Sequence, residues 1–223
     1  MRDNYLKKLE QMQKELLEMG MLCEEAIQKT YRLLVSEQLV KAIDVLEREI
    51  DAKERRIEAD CIQLFLQQQP VASDLRLISS ALKMITDLER IGDHATDIAE
   101  ILETGSIKVP AKDIDLAKMA EIAMDMINRS VESYVQKDLE MAREVIDRDD
   151  VLDELFINVR KEISRCSAEK IYTNDQTLDL LMIAKYYERL GDHATNVAEW
   201  VEFSLTGKHR SGKEVNDVFA VLQ

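Results

Sequence analysis

One long word of sequence occurs twice in this chain, and that repetition constrains the fold more than any other feature. Residues 87–100 read DLERIGDHATDIAE, and residues 186–199, ninety-nine positions later, read YYERLGDHATNVAE. Hydrophobic patterning repeats residue classes rather than identities, so two copies of a largely polar word indicate a use of their own. A period of about 100 residues is longer than that of solenoid repeats, which favours a duplicated domain.

The composition favours helices throughout. Two prolines and six glycines are too few for a sheet built with many turns, whereas Glu, Lys, Leu, Met, Ala and Arg are abundant and form helices readily. Apolar residues recur every three or four positions in six segments. We predict helices from residue 5 to about 35, 39 to about 66, 70 to about 102, 114 to 135, 139 to about 171, and 173 to about 205.

These helices predict an all-α fold of two tandem antiparallel three-helix bundles related by internal duplication. The first bundle covers residues 1–105 and the second covers 113–206. The segment 106–112 is the linker, because Gly105 and Pro110 interrupt the apolar periodicity there. Residues 207–223 form a polar C-terminal tail. At an offset of 100, residues up to Val45 and Arg48 align without a gap, after which the two words align at 99.

The charge and the cysteines exclude several functional classes. A formal net charge of −14 argues against nucleic acid and against adsorption to anionic lipid, and favours cations or a basic protein surface as partners. Three cysteines without C-x-x-C spacing indicate reduced thiols. With no apolar run near ~18 residues and a charged N-terminus, the sequence predicts a cytoplasmic protein.

The repeated word places its carboxylates along one narrow stripe of a helix, at 100° per residue. We count no lysine or arginine within the stripe, and like charges four residues apart disfavour a helix. An acidic protein can present such a stripe to solvent, but its duplication favours a bound cation. Carboxylates without thiolates suit hard cations, iron or manganese. The stripe contains Glu89, Asp93, Asp97 and Glu100 in the first copy, and Glu188, Asp192, Asn196 and Glu199 in the second.

Acids of the second and fifth predicted helices are candidates for the remaining ligands. In the first half they are Asp51 and Glu54, with Glu58 close by, and in the second half Asp150 and Asp153, with Asp149 close by. The register of the repeat slips in this region, so the sequence leaves open which of these acids correspond.

Histidine and glycine are repeated together with the acids. His94 and His193 fall at the edge of each stripe, where they either border the site or form hydrogen bonds between helices. Gly92 and Gly191 lower helix stability, and we expect each to mark the close approach of another backbone.

The words LERIGDHA and YERLGDHA, the segment QPVASDLR of residues 69–76 and the duplicated three-helix halves together resemble the PhoU family of phosphate-signalling proteins, over essentially the whole chain. The resemblance implies a non-enzymatic cytoplasmic accessory of the phosphate ABC transporter, which restrains uptake and holds the phosphate regulon off when phosphate is plentiful. The implied partners are the transporter ATPase subunit and a membrane sensor histidine kinase. Contact with the membrane would occur only through these partners, and the family often forms homodimers.

The resemblance also implies metal ions, most typically iron or zinc, with manganese, magnesium and calcium as further options. The family binds them through an E/D-x-x-x-D motif in each half. The motif maps onto Glu89 and Asp93, and onto Glu188 and Asp192. Asn196 departs from the all-acid pattern, so we expect the second site to be weaker or differently filled.

The segment from Pro70 to Arg76 has no counterpart in the second half. Two interpretations stay open for it. Asp74 and Arg76 form a partner contact, or the segment is simply the start of a helix.

Two other functional classes compete with a regulator. A carboxylate-bridged metalloenzyme or metal-storage protein of the ferritin type requires Glu-x-x-His on facing helices, whereas the histidines here follow their glutamates by five residues. No phosphate-binding G-x-x-x-x-G-K-S/T loop and no repeated Cys–His or Ser–His pair is present. The third class is a purely structural helical protein that binds no metal.

Overall fold

The computed structural model describes residues 2–35, 43–67, 71–104, 107 and 114–208. Within these ranges the chain forms six α-helices, and the predicted all-α fold with a duplicated three-helix unit is confirmed. The helices are α1 (Arg2–Val35), α2 (Ile43–Gln67), α3 (Ala72–Thr104), α4 (Leu116–Gln136), α5 (Leu139–Ala168) and α6 (Asn174–Thr206). Except for Ile107, Gly207 and Lys208, the predicted linker and tail lie outside the described residues.

The connection from α5 to α6 shows how the sequence ends one helix and begins the next. Helix α5 ends at Ala168, before the predicted end near residue 171, because Lys170 adopts a left-handed φ of 58° and the N–H of Ile171 bonds back to the last turn. Helix α6 begins with a capping box. The Thr173 side chain accepts from the Gln176 N–H, and the Gln176 side chain accepts from the Thr173 N–H.

The two halves share one core. Helices α1, α2 and α3 pack on one another, as do α4, α5 and α6, and the halves join along α1–α4 and, most extensively, along α3–α6. Among the described residues α2 contacts only α1 and α3, and α5 only α4 and α6, so these two helices lie on the outside. Buried apolar side chains from all six helices form a continuous cluster. No helix in the described ranges is long and apolar enough to span a bilayer.

The internal repeat has a different register in the outer helices than in the others. Met19 and Met119 are both fully buried, in agreement with the predicted offset of 100 for α1 and α4. In α2 and α5 the same offset is wrong, because Val45 is 44% exposed whereas Val145 is 1% exposed.

The glycines of the repeated word identify the correct register. A Cβ added to Gly92 would lie 2.9 Å from Cδ1 of Ile50, and one added to Gly191 would lie 2.4 Å from Cδ2 of Leu152. Ile50 and Leu152 therefore occupy equivalent positions, 102 residues apart. In each half the close neighbour is a side chain of the outer helix and not a backbone, which corrects the sequence-based expectation.

We expect Gly191→Ala to destabilise the protein even though alanine is the better helix former. Overpacking against Leu152 costs about 1–3 kcal/mol, against a gain of about 1 kcal/mol from helix propensity. The free energy of unfolding, measured by urea titration, should fall by about 1 kcal/mol. In a Leu152→Ala background the same change should raise it, since only the propensity gain remains. Equal effects in the two backgrounds would contradict a steric role for this glycine.

Candidate functional site

The acids of the site lie on two equivalent pairs of helices. In the second half α5 packs on α6, and Leu152 fits against Gly191. Asp149 and Asp153 flank Leu152 along α5, so this contact brings them beside Asp192 of α6. The same arrangement in the first half brings acids of α2 beside α3.

The second-half cluster comprises Asp153, Glu188 and Asp192, and one carboxylate oxygen of each lies within 4.8 Å of one from each of the other two. Among the described residues, no other group of three or more Asp, Glu, His or Cys side chains brings its possible ligand atoms this close together. Glu188 is half-buried, and the Lys185 Nζ donates to both of its carboxylate oxygens at 2.5 Å. Lys185 is not one of the stripe residues, but it offsets part of their charge, which the sequence analysis did not anticipate.

Burial, and after it mutual repulsion, raises the pKa values of the acids at this cluster. Burial raises the pKa of Asp149 to about 6, and the charges of Asp192 and Asp153 add to the shift, while the Thr195 hydroxyl opposes it. Burial also raises the pKa of Asp153 and of Asp192, in both cases with Glu188 as the next cause. A cation among these oxygens would relieve the repulsion directly.

The first-half cluster comprises Glu47, Asp51 and Glu54 of α2 with Glu89 and Asp93 of α3. Burial raises the pKa of Glu47, followed by the charges of Asp93 and Asp51. Burial and the charge of Asp93 likewise raise the pKa of Glu89, and burial and the charge of Glu58 raise that of Glu54. Charge thus acts across the α2–α3 contact, since Asp93 of α3 raises the pKa of Glu47 and Glu54 and Asp51 of α2 raise that of Glu89.

Arginine partly neutralises the first-half cluster. The guanidinium of Arg90 lies 3.1 Å from Asp93 and 3.6 Å from Glu89, and that of Arg55 lies 3.7 Å from Asp51. Arg90 thus pairs with acids of its own helix, so a basic side chain offsets part of the charge in this half as well. The arginines would have to move before a cation could take their place.

The repeated histidines lie between the two halves. The rings of His94 and His193 face each other across the α3–α6 contact, with centroids 5.5 Å apart. His193 Nδ1 lies 2.9 Å from Asp87 Oδ1, and His94 Nδ1 lies 3.5 Å from Asp97 Oδ2. Burial lowers the pKa of His94, while Asp97 opposes the shift. Hydrogen bonding between helices therefore describes His193, whereas His94 has its carboxylate partner on its own helix and meets α6 through the His193 ring.

The third position of each stripe also faces this contact between the halves. Asn196 Nδ2 donates to Asp87 Oδ1 at 3.1 Å, and Asp97 lies beside Tyr186, whose pKa is raised by burial and then by the charge of Asp97. The exposed Glu100 adds to that shift. The structure therefore does not bring Asp97 into the first-half cluster.

Three further candidates from the sequence are Glu199 of the second stripe and Asp74 and Arg76 of the segment that has no counterpart in the second half. Glu199 is half-buried, about two helical turns beyond Asp192. Asp74 and Arg76 lie in the first turns of α3 and have neighbours within the chain. Arg76 Nε donates to the Ser204 carbonyl at the end of α6 at 3.5 Å, and Asp74 contributes to the raised pKa of Tyr5, after burial.

Sequence reasoning left Glu47 out of the site and did not select Asp149 over its neighbour Asp150. Asp150 acts on Asp149 and Asp153 through its charge but is itself exposed. Glu47 and Asp149 are 102 residues apart, the offset that relates Ile50 to Leu152. If α2 and α5 are aligned so that Ile50 and Leu152, the residues packed against the two glycines, coincide, then Glu47 and Asp149 coincide as well. The alignment based on apolar periodicity did not pair them.

The chain matches known proteins over most of its length. The PhoU domain profile matches residues 16–102 and again 116–201. A phosphate-specific transport system accessory protein PhoU homolog of Clostridium acetobutylicum is 36% identical over 211 residues, which cover 90% of this chain and 93% of that protein. A protein of the same name from Aquifex aeolicus is 36% identical, covering 82% of this chain and 84% of its own.

Solved structures share the fold. The crystal structure of PhoU from Pseudomonas aeruginosa superposes with a TM-score of 0.82 at 27% identity, covering 92% of this chain and all of that one. The phosphate transport system regulatory protein PhoU from Streptococcus pneumoniae gives a TM-score of 0.83 at 22% identity, over 92% of this chain and 98% of its own.

We expect Asp149→Asn to stabilise the metal-free protein in a pH-dependent manner. Asp149 has a pKa of about 6 when folded and about 3.9 when unfolded, so its ionisation lowers stability as the pH rises between these values. The substitution should therefore increase the free energy of unfolding at pH 7.5, in the presence of chelator, and change it little near pH 4.

The control is Asp150→Asn, which removes the same charge from the exposed neighbouring position. It should increase the free energy of unfolding at pH 7.5 by less than Asp149→Asn does. A gain for Asp149→Asn that does not change between pH 4 and pH 7.5 would contradict the assignment.

Proposed function

Because this chain belongs to the PhoU family, we propose that it is an accessory regulator of phosphate transport that acts through protein contacts and binds metal ions at its acidic clusters. The observation that carries the regulatory role is the presence of two PhoU domains that together cover most of the chain. Relatives that align with most of this chain have names that describe phosphate-transport accessory proteins.

The proposed partners are the ATPase subunit of the phosphate ABC transporter and a sensor histidine kinase, with the protein itself a homodimer. The charge of the chain supports basic surfaces on these partners. A net charge of −14 steers association toward positive patches and makes its rate sensitive to ionic strength.

Metal binding is proposed first for Asp153, Glu188 and Asp192. Their oxygens lie within 4.8 Å of one another, which is close enough for one ion to contact all three after small side-chain rotations, since ligand distances are about 2–2.5 Å for such ions. A carboxylate donor set suits iron, manganese, magnesium or calcium, and zinc also accepts carboxylate ligands. The Lys185 ammonium places a positive charge beside Glu188, and a bound ion would replace that charge.

The corresponding first-half residues are Asp51, Glu89 and Asp93, with Glu47 and Glu54 next to them. Arg90 pairs with two of these acids, so a cation must displace a guanidinium held by two carboxylates. We therefore propose that the second-half cluster binds metal more tightly. This reverses the expectation from Asn196, because Asn196 lies at the contact between the halves.

A non-enzymatic role agrees best with the position of the histidines. A ferritin-type oxidase needs histidine ligands next to its carboxylates, whereas His94 and His193 have Asp97 and Asp87 as partners at the α3–α6 contact. No contact in the described part of the chain favours that alternative.

We expect Asp192→Asn to weaken binding of Mn²⁺ by a factor of at least about 10–100, since loss of a residue that only supports a ligand already costs that much. Asp93→Asn should have a smaller effect on the tightest binding step. Isothermal titration of chelator-treated protein measures both, and Glu154→Gln, an exposed acid next to Asp153, is the control for charge. If Asp192→Asn and Glu154→Gln bind Mn²⁺ equally well, the proposed site is wrong.

The regulatory role predicts specific partners in the cell. Tagged protein recovered from phosphate-rich and phosphate-starved cells should enrich the transporter ATPase subunit and a sensor histidine kinase in at least one condition, with higher salt reducing the yield. Identification by mass spectrometry, against an unrelated acidic helical protein as control, tests this. Recovery of neither partner in either condition would contradict the adaptor role.

A further inference from the structure

An open cleft lies between α5 and α6, close to the turn that joins them. Its volume is about 390 Å³, which is within the range of small-molecule sites. Arg160, Ser164 and Ser167 of α5 line one side, and Thr177 and Leu181 of α6 line the other. The described residues that line the cleft include no acid. In a chain with a net charge of −14, a cleft of this composition favours an anionic ligand.

The first half carries larger side chains at the equivalent positions. The offset of 102 between α2 and α5 continues to this end of the helices, because Leu64 and Cys166 are both fully buried. By this offset Arg160 takes the place of an acid, Glu58. The hydroxyl residues take the place of large apolar ones: Ser164 of Ile62, Ser167 of Phe65 and, at the offset of 99, Thr177 of Ile78. The second half therefore has less bulk and the opposite charge at this place.

Three possible hydrogen-bond donors of α5 share one stripe of the helix. Arg160, Ser164 and Ser167 are spaced i, i+4 and i+7, which places them within about 60° of one another around the helix axis. Among the described residues, no hydrogen bond uses the hydroxyl of Ser164 or Ser167. By contrast, the hydroxyls of Ser130 and Ser133 in α4 donate to backbone carbonyls. The two serines of the cleft can therefore donate to a ligand.

The guanidinium of Arg160 is also available. Three other arginines of α5 form ion pairs with acids, namely Arg143, Arg148 and Arg165. Arg160 forms no ion pair with the described residues. Its guanidinium carbon instead lies 6.0 Å from the centroid of the Phe156 ring, one turn earlier in α5. Because the ring attracts the cation, this contact favours a position of the guanidinium beside the cleft.

We propose that this cleft binds a small phosphate monoester. The phosphoryl oxygens accept two parallel hydrogen bonds from Arg160, in the planar arrangement that guanidinium groups form with phosphate, and further bonds from Ser164 and Ser167. Thr177 already donates its hydroxyl to the Thr173 carbonyl at 2.8 Å, so it borders the ligand without donating to it.

The apolar part of the cleft favours an ester over inorganic phosphate. Ile163, Ala168 and Leu181 complete the lining. Inorganic phosphate would contact only the donors, whereas the organic group of an ester also covers these side chains and removes apolar surface from water. Arg160 lies about two helical turns beyond Asp153, so the cleft is separate from the acidic cluster and the inference does not rest on metal binding.

Isothermal titration of the full chain with phenyl phosphate, in the presence of chelator, tests the proposal. Arg160→Gln should weaken binding at least about tenfold, because a hydrogen bond to a charged group contributes that much or more. Ser167→Phe, which introduces the residue of the equivalent first-half position, should abolish binding by filling the cleft while the guanidinium is kept. Lys161→Gln removes the same charge from the exposed neighbouring position and should leave the affinity close to that of the unaltered chain. An unchanged urea midpoint and unchanged Mn²⁺ titration of Arg160→Gln would verify that its fold is intact.

Inorganic phosphate and benzoate identify the chemistry of the ligand. Phenyl phosphate should bind more tightly than inorganic phosphate because of its ring, and more tightly than benzoate because it has more acceptor oxygens. Inorganic phosphate that binds as tightly as the ester would overturn the assignment of an ester, and benzoate that binds as tightly would overturn that of a phosphoryl group. The site itself would be wrong if phenyl phosphate did not bind at millimolar concentration, or if Arg160→Gln and Lys161→Gln weakened its binding equally.

Discussion

The contact of Leu152 with Gly191 is the interaction on which the second acidic cluster depends. It is apolar and close, since a Cβ on the glycine would lie 2.4 Å from the leucine. By drawing α5 onto α6 it brings Asp153 within 4.8 Å of Asp192 and Glu188. Apolar burial thus holds carboxylates together that would otherwise separate, and their raised pKa values are the electrostatic cost of that packing.

The two halves reduce the same repulsion with different cations. In the first half the Arg90 guanidinium contacts both Asp93 and Glu89, because its planar group can serve two carboxylates at once. In the second half the Lys185 ammonium forms its ion pair with Glu188, and its charge opposes the raised pKa of Asp153 and Asp192 without outweighing burial. The duplicated sequence has therefore produced two acidic clusters with similar acids and different basic partners.

The contact between the halves is built from the same turns of helix as the clusters. His94 follows Asp93 directly and His193 follows Asp192, and the two rings lie 5.5 Å apart where α3 crosses α6. One face of each turn carries the acid toward the outer helix, and the next residue carries the histidine toward the other half. The residue that contributes charge to each cluster and the residue that packs between the halves are therefore consecutive in the sequence.

The sequence alone determined the six helices, the duplication and the acidic face of each repeated word, because these follow from periodicity and identity within one helix. It did not determine the register of α2 against α3, so Glu47 was missed, because apolar spacing fixes a helical face but not the residue opposite it. Nor did it reveal that Asp97 turns toward Tyr186 or that Arg90 folds back onto Asp93. Only the tertiary structure decided these points, since they depend on which helix packs against each face.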